Sequence, residues 1–93
     1  LPIMRYYRIT MCEGERTVWS GFSRKQAVAK MKELKGAGFA NLEEYEVSET
    51  LVNQSSNPLL TADIAVEGKK PIRAQLYDEE GKKLVDIDTK FFK

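Results

Sequence analysis

Apolar and polar positions alternate along most of this chain, and one stretch breaks the alternation. Met4 to Cys12 is rich in Tyr, Ile, Thr and Met and predicts a strand. Glu13-Gly14-Glu15 marks a turn, and Arg16 to Phe22 predicts a second strand, the two forming a hairpin. In the second strand Val18, Ser20 and Phe22 share one face, and Thr17, Trp19 and Gly21 the other. Gly21 beside Trp19 marks a bulge or a close approach of the backbone.

The break comes at Ser23-Arg24-Lys25-Gln26, a capping box in which the Ser23 hydroxyl accepts from the Gln26 amide. Phe22 precedes the cap and staples onto Ala27, and Ala27, Val28, Met31 and Leu34 recur at helical spacing. Gly36 and Gly38 end the helix, which is placed at 24–36, with Phe39 folding back on its last turn.

Alternation then resumes. Leu42 to Val52 predicts a long strand carrying Tyr45 and Val47, with a glutamate-driven helix as the alternative. Asn53 to Pro58 is a polar loop. Leu60 to Val66, Ile72 to Tyr77 and Val85 to Phe91 predict a three-stranded meander, turned at 67–70 and 78–82, with Pro71 opening the middle strand. The order is ββαββββ: a single α+β domain over residues 1–93, with an antiparallel sheet of about six strands. One helix packs on one face and the other face is wet.

Composition agrees with one folded domain. Hydrophobic residues make up 42% and charged residues 31%, a globular balance. The formal net charge of +1 provides no global field toward nucleic acid or lipid. Locally, residues 23–40 carry Arg24, Lys25, Lys30, Lys32 and Lys35 against Glu33, a net of +4, while Glu43, Glu44, Glu46 and Glu49 give residues 41–57 a net of −4. Cys12 is the only cysteine, which forbids an intrachain disulfide and points to a reducing cytoplasm. No apolar run reaches the ~18–20 residues of a membrane span, and the N-terminus lacks the order of a signal peptide. Leu1-Pro2-Ile3 ahead of Met4 reads as an expression remnant.

The chain has no histidine, which removes the commonest general base and metal ligand together. Cys–His and Ser–His–Asp arrangements are excluded, as is any zinc site that needs His. No phosphate-cradling glycine loop precedes a helix, since Lys35-Gly36-Ala37-Gly38 follows one. No cofactor or metal is expected. Catalysis would rest on a pair such as Asp86 and Asp88, about 7 Å apart on one strand face, or on the unassisted Cys12 thiol. The plainer readings are a solvated strand face and a half-buried strand residue.

Binding is better represented. Trp19 and Tyr77 fall on wet faces and, with Arg73, are the expected contacts for a protein partner or a second copy. Nucleic acid is the alternative, with phosphates along Arg24, Lys25, Lys30 and Lys32 and bases stacking at Tyr7 and Arg8. The acidic strand reads most simply as an internal complement of the basic helix. The runs Tyr7-Arg8-Ile9, Gly21-Phe22-Ser23 and Ala27…Leu34…Gly38-Phe39 superficially resemble the start of a SPOR-type peptidoglycan-binding repeat, over less than half of the chain. That family needs a second helix after the next strands, which the pattern of 58–93 does not provide, so nothing carries over. The leading expectation is a small non-catalytic interaction protein, with a homodimer as one form of it, of a kind that suits the accessory proteins of phages and mobile elements. A carboxylate-dependent enzyme stands third.

Overall fold

Two strands, one capped helix and a third strand follow one another as the pattern of the first half dictates. A computed structural model describes residues 2–11 and 16–88, the last two by backbone alone. The elements are β1 (Ile3–Met11), β2 (Arg16–Gly21), α1 (Arg24–Glu33), β3 (Ala40–Ser48), α2 (Glu49–Asn53), α3 (Pro58–Ala65), β4 (Arg73–Tyr77) and β5 (Lys83–Asp88). The turn at 13–15, Cys12 and the end of the last predicted strand lie outside the described residues.

The chain is one α+β domain. Its five strands form one antiparallel sheet in the order β2-β1-β3-β4-β5. α1 begins where the capping box places it, with the Gln26 amide donating to Ser23 Oγ at 3.2 Å. It stops at Glu33, and Gly36 and Gly38 adopt φ of 90° and 121° in the exit turn.

The second half departs from the alternation in two places. β3 stops at Ser48, because the Ser48 hydroxyl accepts from the Leu51 amide and starts α2, with Glu49 at the favourable end of the helix dipole. The strand expected at 60–66 is replaced by the helix α3, which begins at Pro58 in the expected loop. Asn57 Oδ1 caps the Leu60 amide at 3.3 Å and Pro58 occupies the first turn, where its missing N–H is no loss. Leu60, Ala62, Ile64 and Val66 satisfy a period of two, but Ala62, Ala65 and Val66 also satisfy a helical one. The local cap decides between them. A helix therefore does stand within 58–93, directly after α2 rather than after further strands.

Helices cover both faces of the sheet, so neither face is wet throughout. On one, Tyr7, Ile9 and Met11 of β1 and Ala40 and Leu42 of β3 are buried against Ala27 and Met31 of α1. On the other, Tyr6, Tyr45 and Val47 are buried against Val52, Ala62 and Val66. Tyr6 packs between Phe22 and Tyr45, with ring centroids 5.6 and 6.4 Å away. The β1 run Tyr6-Tyr7 thus feeds two cores at once, one ring to each side.

Candidate interaction surfaces

The glutamates of β3 set the electrostatics, and they are answered by arginines rather than by the helix lysines. Glu46 pairs with Arg5, Glu43 with Arg8 at 3.7 Å, and Glu44 with Arg24 at 3.2 Å. Arg24 also donates to Gln75 Oε1 at 3.0 Å, satisfying a side chain that is 2% exposed. Arg8 spans Glu43 and Asp63, the latter at 3.0 Å, and lies 5.6 Å over the Tyr45 ring, which ties α3 to the sheet. Burial, reinforced by Glu43, pushes the Tyr45 hydroxyl up to about 12. The acidic strand is thus complemented internally, once by Arg24 of the basic helix and twice by arginines of β1. Lys25, Lys32 and Lys35 have no ion pair among the described residues, whereas Lys30 is held by Glu33.

The residues singled out from the sequence are scattered by the fold. Trp19 and Tyr77 are not paired on a wet face. Both pack half-buried against the core beneath α1, on different strands with β1 and β3 between them. Arg73 donates two hydrogen bonds to Asp86, at 2.8 and 2.7 Å. Tyr7 is buried under α1, and Arg8 faces the other side of the sheet, so neither joins the helix cations in presenting bases with a stacking surface. Asp86, gripped by Arg73 with help from Gln75 and Lys83, is held well below the usual carboxylate range. That is the opposite of what a proton donor needs. The side chain of Asp88 lies outside the described residues, and among those described no three His, Cys, Asp or Glu cluster to hold a metal ion.

A surface that alternation concealed comes from α3. Ala62 and Val66 point inward, Ala65 is half-buried, and Thr61 and Asp63 sit at the flanks. At the outward pole stand Leu60, 53% exposed, and Ile64, 61% exposed, one turn apart. Leu59 and, on α2, Leu51 are also exposed. A helix that is apolar all round is normally buried all round. Leu59 leads into a groove of about 550 Å³ lined also by Pro58, Phe22, Ser23, Gln26 and Trp19. Trp19 is therefore the one expected contact that the fold places beside the new patch. The signal that finds α3 in the sequence is Asn57-Pro58, a cap followed by the residue best suited to a first helical turn.

Comparison with protein-family models, curated proteins and solved structures finds no match for this chain. No helix among the described residues is long and apolar enough to cross a membrane.

Proposed function

We propose that the chain is a small non-catalytic interaction protein that works as a homodimer, two copies meeting through the outer face of α3. The observation that carries the reading is Leu60 and Ile64 at the solvent pole of a helix already apolar on its inner face. The patch carries no charge at its centre, and interfaces between identical copies are the more apolar kind. Two α3 helices crossing about a two-fold axis would set Leu60 of each near Ile64 of the other, with the neutral Ser56-Asn57 end facing Glu67. The Trp19 groove would lie at the rim. A single cysteine suits a reducing compartment, and a cytoplasmic role as an accessory protein of a phage or mobile element belongs to the same proposal.

Sedimentation velocity across micromolar concentrations tests it. Covering the remaining half of Leu60 and Ile64 is worth roughly 3–7 kcal/mol summed over both copies, so Leu60→Gln with Ile64→Gln should weaken the dimer by about a hundredfold or more. Each monomer should stay folded, because both side chains point to solvent. A wild-type chain that remains monomeric at the highest concentration sinks the proposal.

A further inference from the structure

On the opposite side of the sheet from α3, we propose that the outer face of α1 binds the backbone of a single-stranded nucleic acid, with one base against Tyr77. Lys25, then Val28 and Ala29, then Lys32 succeed one another at three- or four-residue steps and form one stripe along the helix, which Lys35 continues in the exit turn. Arg24, Lys25, Val28, Ala29 and Lys32 line a shallow groove of about 590 Å³. It continues into a hollow of about 400 Å³ lined by Val28, Met31, Lys32, Lys35, Tyr77, Glu80 and Gly81. Val28 and Lys32 belong to both, so the two form one path.

Of the cations on this path, Arg24 is held by Glu44 and Gln75, while Lys25, Lys32 and Lys35 have no ion pair among the described residues. Glu33, the only acid in α1, holds Lys30 off the stripe. The glutamates of β3, which would oppose a polyanion, are matched by Arg5, Arg8 and Arg24. Lys25, Lys32 and Lys35 are thus left to act on a partner, within the ~10 Å over which charge is felt at 0.1 M salt. From the helical rise, Lys25 and Lys32 lie about 10.5 Å apart along the axis, and Lys35 follows in the exit turn. A strand stacked at ~3.4 Å per nucleotide can offer each of the three lysines its own phosphate, so about three phosphates are neutralised.

Tyr77 decides between kinds of polyanion. An acidic polypeptide would satisfy the lysines but has no use for an aromatic ring in the same hollow as Lys32 and Lys35. An unpaired base does, because every base offers a π face. A duplex keeps its bases stacked and out of reach of the hollow. Glu80 is the one carboxylate among the described residues that line the path, and it weakens the site.

Fluorescence anisotropy of a labelled oligothymidine tests the proposal. Binding should be measurable at low salt, with log K falling against log salt at a slope near −2, as ~0.7 per phosphate over about three phosphates requires. Lys25→Glu with Lys32→Glu should lower affinity more than tenfold while leaving the sedimentation of the protein unchanged, which keeps this test separate from that of the α3 face. Tyr77→Leu should lower it by about 5- to 100-fold, Tyr77→Phe should retain it, and Glu80→Gln should raise it. Since Tyr77 also packs against the core, the thermal melt of the Tyr77→Leu variant separates loss of stacking from loss of fold. No binding at low salt, tighter binding to duplex, or polyglutamate bound as tightly as the oligonucleotide would each overturn the proposal.

Discussion

Gly21 is the position at which one added methyl group has the most legible consequence. It is buried at the end of β2, opposite Tyr7, and a Cβ built there would lie 2.8 Å from both Cη2 and Cζ2 of Trp19. That is far inside van der Waals contact, so Gly21→Ala forces the indole to move. The ring packs against the core beneath α1 and cannot swing away without surrendering that contact. Overpacking of this kind costs ~1–3 kcal/mol, and the stiffer unfolded chain of alanine returns ~0.4–1. A net loss of about 1–2 kcal/mol remains, which for a domain of this size lowers the melting temperature by roughly 5–15 °C. Trp19 is the only tryptophan, so its emission reports the displacement directly. Thermal melts and fluorescence should be read together, in the wild type and in a Trp19→Leu background. With the ring gone, Gly21→Ala should become neutral or mildly stabilising, giving a coupling of about 1–2 kcal/mol in the double-mutant cycle. Unchanged stability and unchanged emission in the single variant, or an equal loss in both backgrounds, would refute the steric account.

Two further outcomes follow from local chemistry. Asn57→Ala removes the cap of α3 and should cost about 1 kcal/mol, lowering the melting temperature by roughly 4–8 °C; no change would mean that α3 is held by its docking alone. At alkaline pH, the raised Tyr45 hydroxyl favours the folded state while neutral, so its contribution is full below the ordinary value of 10 and is lost as pH rises through about 12. Burial raises Tyr6 and Tyr7 in the same direction. Ultraviolet titration should find these phenols ionising late, with stability declining across that window, and ordinary titration of every tyrosine would contradict the burial described.

Local signals in the sequence determined the hairpin, the start of α1 and the α+β class, because each is settled within a few residues. The capping box at Ser23 needs only its own helix turn, and the Tyr- and Ile-rich run of β1 is a strand in almost any context. Where two local signals competed, the pattern alone pointed the wrong way. Residues 60–66 alternate, yet Asn57 and Pro58 begin a helix whose Ala62 and Val66 can be buried only against Tyr6 and Tyr45, far away in the chain. Which face of a strand is wet was likewise beyond the sequence. Trp19 and Tyr77 became half-buried because α1 lies over them, and the opposite face was closed by helices that alternation had concealed. The pairing of charges was decided last of all. The sequence places a basic helix before an acidic strand, but the register of β1 on β3 sets Arg5 and Arg8 opposite Glu46 and Glu43. Side chains directly across a ladder are a few ångströms apart, so those arginines reach the glutamates first and leave the lysines of α1 facing outward.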